Sequence, residues 1–200
     1  MQRIVVPGER LHDKPIRIDN TITDNNGTYS CILGYFDDQS KSLIPLEGLW
    51  LPKSGDTVVG IVEEDRGTTF TINLNAPYRG LIIARFIETD IRARDVIIAS
   101  IKELEKDGTA ILVRPKRLEG GKMISVKPSK IPRIIGKANT MVKQITDNTG
   151  TSLIIGLNGI IWLKGGNVDL ATKAILQIEE EAHTSGLTDR IREMLEANKV

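Results

Sequence analysis

The sequence predicts a multi-domain α+β chain: a β module over residues 1–53, a small β-barrel over 54–118 and a β-α-α-β-β-α domain over 119–200. Three observations predict it. Short strand-like patterns separated by turn signals fill the first 118 residues, helical periodicity begins only after Glu119-Gly120-Gly121, and the helices there alternate with strands. With 40% hydrophobic and 26% charged residues the chain is of the globular class, which excludes disordered and collagen-like chains. The net charge of +1 by itself advertises no nucleic acid, membrane or acidic partner.

In the first module Asn26-Gly27 reads as a turn between Ile16-Arg17-Ile18 and the run from Thr28 to Phe36, and prolines at 7, 15, 45 and 52 keep helices out. Pro52-Lys53-Ser54-Gly55 punctuates the chain. Strands follow at Thr57–Val62, Thr68–Leu74, Val96–Ile101 and Thr109–Arg114. Phe70, Ile72 and Leu74 alternate with polar residues, and Lys106-Asp107-Gly108 closes the last hairpin. So many short strands in about sixty residues favour a closed barrel, which leaves no open sheet edge. After residue 121 a strand at Met123–Val126 precedes a proline-started helix reaching Ile135, and Gly136 interrupts it. A second helix runs from about Thr140 to before Gly150. Strands Ser152–Ile155 and Ile160–Leu163 are joined through Asn158-Gly159. Asn167 caps a helix carrying Leu170, Ala174, Ile175 and Ile178, Gly186 stops it, and Leu187–Asn198 forms a last amphipathic helix.

One cysteine, Cys31, excludes an internal disulfide and a zinc ribbon; in Tyr29-Ser30-Cys31-Ile32-Leu33 it is expected to be a small buried hydrophobe. His12 and His183 stand without ligand-spaced partners, so no metal and no cofactor is expected. No Ser or Cys nucleophile has a neighbouring histidine, and no Gly-Lys-Ser/Thr phosphate loop occurs, so catalytic residues are not expected. The apolar runs are too short to span a bilayer and no leader pattern follows Met1, which makes the expected location cytoplasmic.

The near-neutral total hides a segregated charge. Residues 114–143 carry nine basic side chains against Glu119 alone, a net +8 across the barrel junction and the turn between two helices. That turn is Ile134-Ile135-Gly136-Lys137-Ala138-Asn139, in which glycine permits close approach to a phosphate and Lys137 adds a point charge.

Ile134–Val142 resembles the core signature of the KH fold, with Asn139 where most KH loops have their second glycine. Gly55-Asp56-Thr57-Val58-Val59-Gly60-Ile61-Val62 and Tyr78-Arg79-Gly80-Leu81-Ile82 are similar to segments of the S1 RNA-binding domain, a five-stranded barrel of the oligonucleotide-binding (OB) type. A β module, an S1 domain and a KH domain of type I in that order, with Gly156-Leu157-Asn158-Gly159 in the last, resemble the archaeal RNA exosome cap subunit of the S1/KH type.

The resemblance implies a noncatalytic subunit that captures single-stranded RNA. It implies three copies on a hexameric ring of RNase PH-like subunits, with a second, zinc-ribbon cap type able to share the ring, and delivery of RNA for 3′-to-5′ degradation and tailing. Expected RNA contacts are Tyr78 as a stacker; Arg79, Arg85, Arg92 and Arg94 in the barrel's long loop; Arg114, Lys116 and Arg117 at the junction; and Lys130, Arg133, Gly136 and Lys137 in the KH part. Gly156, Asn158 and Gly159 are expected to be a structural hairpin. The first module is expected to dock on the ring through Leu49, Trp50 and Leu51, with core packing the other reading of Trp50. The alternatives are a free-standing S1/KH factor acting on ribosomal or messenger RNA, and a nuclease.

Overall fold

The computed structural model describes residues 2–18, 20–38, 41–45, 50–86, 90–105, 107–182, 184 and 186–198. It divides into two compact units, Met1–Leu49 and Trp50–Val200.

Among the described residues the first unit holds six short strands, β1 (Gln2–Val5), β2 (Arg10–His12), β3 (Thr21–Asp24), β4 (Gly27–Ser30), β5 (Gly34–Asp37) and β6 (Ser42–Pro45). They form two antiparallel sheets, β1-β5-β6 and β2-β4-β3. Val5 and Phe36 are fully buried between them with Leu11, Ile18 and Leu43. The turn lies one residue earlier than expected: Asp24 pairs with Gly27, and the Asp24 carboxylate accepts from the Asn26 and Gly27 amides. Ile16-Arg17-Ile18 is no strand. The buried Thr28 hydroxyl donates to the Lys14 carbonyl and accepts from the Ile16 amide, so a side chain pins this segment where Pro15 can donate no ladder bond. The run 28–36 is broken between β4 and β5, which belong to different sheets, and Cys31 in the bend between them is exposed.

In the second unit β7 (Thr57–Asp65), β8 (Thr69–Asn73), β9 (Arg79–Ile83), β10 (Val96–Leu104) and β11 (Ala110–Leu118) close into a barrel in the order β10-β11-β9-β8-β7. Its one parallel pairing, β9 with β11, and the antiparallel β10–β7 closure give the OB-type five-stranded architecture. Strand β9 escapes a pattern search because its apolar residues Leu81-Ile82-Ile83 run together without alternation, although only Ile82 is buried. Arg79 therefore starts a strand, and Arg85 sits on a 3-10 turn at Ala84–Phe86. β11 reaches Leu118, which puts Lys116 and Arg117 on the barrel wall. A register shift at Arg114-Pro115, with Arg114 at φ +53°, bends it.

Then come β12 (Lys122–Ser125), a 3-10 turn at Pro128–Lys130, α1 (Ile131–Ile135), a 3-10 turn at Lys137–Asn139, α2 (Thr140–Thr149), β13 (Ser152–Ile155), β14 (Ile160–Lys164), α3 (Val168–Glu181) and α4 (Leu187–Ala197). This is the type I KH order with one helix appended. α3 ends at Glu181, ahead of Gly186, which instead begins α4 in a left-handed conformation. The antiparallel sheet runs β12-β14-β13. Ile161 and Leu163 face the helices and join Ile134, Ile145 and Ile175 in the core. The alternate residues Ile160 and Trp162 point to the opposite face, yet they too are buried. The barrel accounts for this, since β13 and β14 pack on β7.

Candidate nucleic-acid interface

Trp50 goes to the barrel core. It is 8% exposed, donates its Nε1–H to Asp56 Oδ2 at 3.2 Å, and meets Tyr78 edge to face at 6.4 Å between centroids. Burying an indole removes roughly 200 Å² from water, about 5 kcal/mol at about 25 cal/mol per Å². That gain corrects Trp50 as a docking residue. Leu49 lies outside the described residues, and Leu51 is exposed. Tyr78 is half-buried, wedged between Trp50 and Gly108, where a Cβ would lie 3.5 Å from the phenol ring. Phe70 is core.

The basic candidates separate into spent and available cations. Arg92 pairs with Asp90 at 2.9 Å, Arg117 Nε lies 3.3 Å from Asp95 and 3.1 Å from Glu119, and Arg133 Nε donates to the Ala182 carbonyl at 2.9 Å. Arg133 thereby ties α1 to the end of α3. Arg79, Arg94, Arg114, Lys116, Lys130 and Lys137 have no acidic partner among the described residues; all except Lys130, which is half-buried, are exposed. Arg94, at φ +75°, and Arg114 sit in left-handed backbone that costs an ordinary residue about 1 kcal/mol.

The α1–α2 turn has an unusual backbone. Gly136 stands at φ +74°, ψ 166°, a region open essentially to glycine, and Ala138 and Asn139 follow at φ +51° and +63°. Asn139 supplies the left-handed residue but makes no side-chain cap to α2. Lys137 projects from this turn.

Gly156-Leu157-Asn158-Gly159 does more than turn the chain between β13 and β14. Asn158 is 2% exposed, and its carboxamide accepts from the Val59 amide at 3.2 Å and donates to the Val59 and Leu74 carbonyls at 2.7 and 2.8 Å. The Leu157 amide adds a bond to the Thr57 carbonyl at 2.8 Å. Pairing of β7 with β8 begins only at Ile61, so the KH hairpin takes the place of a strand neighbour beside the first residues of β7. Gly156 has no room for a side chain, because a Cβ would fall 2.2 Å from Asn158 Oδ1 and 2.6 Å from the Val59 amide nitrogen. Sequence reasoning missed this bridge: Asn-Gly between two strands is complete as a local turn, and its partners lie 84 and 99 residues away. Trp162 was also missed, since its four-residue apolar run reads as plain core.

Among the described residues no group of three or more His, Cys, Asp or Glu side chains is placed to hold a metal ion, and no helix is long and apolar enough to cross a membrane. The site offers cations, a glycine turn and rigidly joined modules, which is chemistry for holding a polyanion.

Comparison with known proteins agrees in kind. The KH domain family matches residues 121–169. The exosome complex component Rrp4 of Thermococcus kodakarensis is 32% identical over 218 residues, covering 97% of this chain and 85% of that protein. The Rrp4 proteins of Picrophilus torridus and Pyrococcus furiosus are 33% and 34% identical, covering 100% and 97% of this chain and 94% and 83% of their own. A crystal structure of a protein assigned to the exosome as an RNA-binding component superposes with a TM-score of 0.68 at 27% identity, over 75% of this chain and 97% of that one. With identity of this level along nearly the whole length, and with a barrel joined to a KH domain in the order the sequence predicts, the chain belongs to the Rrp4 family of exosome complex components.

Proposed function

We propose that this chain is a noncatalytic, cytoplasmic RNA-binding cap of the exosome. It captures single-stranded RNA and passes it to a ring of RNase PH-like subunits for 3′-to-5′ degradation and tailing, three caps to a hexameric ring. The observation that carries the reading is the set of cations with no acidic partner among the described residues, Arg79, Arg94, Arg114 and Lys116 on the barrel with Lys130 and Lys137 on the KH domain, held on one compact unit. Phosphate contacts dominate such binding, and with Tyr78 half-packed against Trp50 there is little aromatic platform for base recognition, so affinity is sequence-tolerant. If about five cations neutralise phosphates, the slope of log affinity against log salt is near −3.5. Fluorescence anisotropy with oligoadenylate from low to high salt tests this, and a flat salt dependence refutes it.

The first unit is the part proposed to dock on the ring. In its β1-β5-β6 sheet Ile4 and Tyr35 are cross-strand partners on one face and are 56% and 41% exposed, with Val6 exposed beside them. Co-purification with RNase PH-like subunits, lost in Ile4→Glu, is the expected result, and native mass spectrometry counts the caps. Incubation of the purified chain with labelled RNA, phosphate and magnesium is expected to leave the RNA intact. Degradation there would make the chain a nuclease instead.

A further inference from the structure

We infer that the seam between barrel and KH domain holds a phosphate-binding site for one phosphodiester of the RNA backbone, at the point where the strand passes from one module to the other. The seam contains an open cleft of about 390 Å³ whose lining includes Arg94, Arg117 with the carboxylates of Asp95 and Glu119, the Gly120-Gly121 backbone and Trp162. The lining is polar and the cleft is built rather than incidental. Asp95 Oδ2 accepts from the Arg92 amide at 2.8 Å, and its other oxygen meets Arg117 Nε at 3.3 Å, so one buried-side carboxylate both shapes the loop and fixes the guanidinium. Glu119 takes the same Nε at 3.1 Å. Held by these two carboxylates, Arg117 is a fixed wall of the cleft, and the charge left for an anion comes from other residues.

Two cations with no acidic partner among the described residues stand at the cleft, one in its lining and one beside it. Arg94 lines the cleft from a left-handed backbone position at φ +75°, a conformation fixed by the bond from its amide to the Val62 carbonyl at 2.7 Å. Lys164 lies with its Nζ 6.0 Å from the Trp162 ring, and a methyl group placed on Gly120 would sit 3.7 Å from that ammonium. Gly120 and Gly121 are exposed, and their amides donate to no backbone carbonyl among the described residues. Gly121 is glycine for a packing reason: a Cβ would stand 2.4 Å from Trp162 Nε1 and 2.6 Å from the Leu163 carbonyl oxygen. The absence of side chains at 120 and 121 thus opens the floor of the cleft, and the indole edge forms a rigid wall. Arg94 and Lys164 with bare backbone amides suit a phosphate better than a carboxylate or a neutral base, and Trp162 is too buried, at 6%, to serve as a stacking face.

This site rests on the RNA-binding reading, and the test separates the two. The chain has two tryptophans, so the indole region of its nitrogen–proton correlation spectrum holds two resonances, which Trp162→Phe assigns. Titrating the full chain with oligoadenylate RNA is expected to move the Trp162 resonance in step with binding measured by anisotropy, while Trp50 stays still. Arg94→Gln, and separately Lys164→Gln, is expected to abolish that movement, weaken binding about fivefold at 0.1 M salt and reduce the salt slope by about 0.7, the share of one phosphate. If RNA binds while Trp162 does not move, or if both variants bind with unchanged slope, the seam site is wrong and the RNA-binding reading stands. If no RNA binds, both fall. A Trp162 shift with inorganic pyrophosphate but none with RNA overturns the phosphodiester assignment in favour of a small free anion.

Discussion

Replacing Asn158 tests the joint between barrel and KH domain directly. Asn158→Ala removes three buried hydrogen bonds, from the Val59 amide and to the Val59 and Leu74 carbonyls. At about 1 kcal/mol for each bond, the expected loss is about 3 kcal/mol. Both tryptophans lie in the Trp50–Val200 unit, so urea unfolding followed by their fluorescence reports on it. With a denaturant slope of about 2 kcal/mol per M, the midpoint falls by about 1.5 M. Asn158→Asp keeps the acceptor for the Val59 amide but turns a carboxylate oxygen toward two carbonyls, so at neutral pH it is expected to cost at least as much as alanine. A protonated carboxyl donates again, so the aspartate variant regains stability on acidification and the alanine variant does not. A loss below about 1 kcal/mol in Asn158→Ala would show that the Asn158 bonds do not hold the modules together and would refute the reasoning.

Three further outcomes follow from the same geometry. Gly136→Ala forces a side chain into φ +74°, ψ 166° with its Cβ 2.7 Å from the Met141 amide nitrogen, and is expected to cost about 2 to 3 kcal/mol in thermal or urea unfolding; a neutral substitution would mean that the turn rearranges freely. Arg79→Gln is expected to weaken RNA binding several-fold more than Arg92→Gln, because Arg92 already pairs with Asp90 while Arg79 is free of acidic partners among the described residues; equal effects in anisotropy would remove that distinction. The Asp107 carboxylate accepts from the Thr109 amide and hydroxyl at 2.9 and 3.1 Å, and these bonds hold its pKa below the ordinary aspartate value. Its contribution to the hairpin is therefore complete above the unfolded-state pKa and fades as pH falls through the lower folded one. The Thr109 amide resonance should titrate below the ordinary aspartate range, and a midpoint at the ordinary value would contradict the pairing.

Much of the architecture is legible because it depends on local chemistry. α2 begins at Thr140 and ends before Gly150, and Asn167 caps α3 through a bond from the Leu170 amide at 3.0 Å, as periodicity and cap residues specify. Prediction failed where a long-range partner overrode a local pattern. Ile16–Ile18 has strand character but is pinned by the Thr28 hydroxyl, β9 reads as a continuous apolar run although pairing with β8 and β11 leaves only Ile82 of it buried, and Cys31 is turned outward by a break inside an apolar run. The candidate site divides the same way. The basic stretch from 114 to 143 is visible as charge, but which of its members are spent in ion pairs and which are free depends on acids distant in sequence, such as Asp95 beside Arg117.

By itself the sequence determined three things here: the order of the modules, the helices and strands whose signals are local, and the concentration of positive charge at the last junction. Only the tertiary structure decided that Trp50 is core, that Arg117 is oriented by two carboxylates, that Asn158 stands in for a missing strand on β7, and that the seam beside Trp162 is open. The physical reason is common to all four. Propensity, capping and charge density are properties of neighbouring residues, whereas burial and hydrogen-bond satisfaction belong to groups that meet only when distant segments pack.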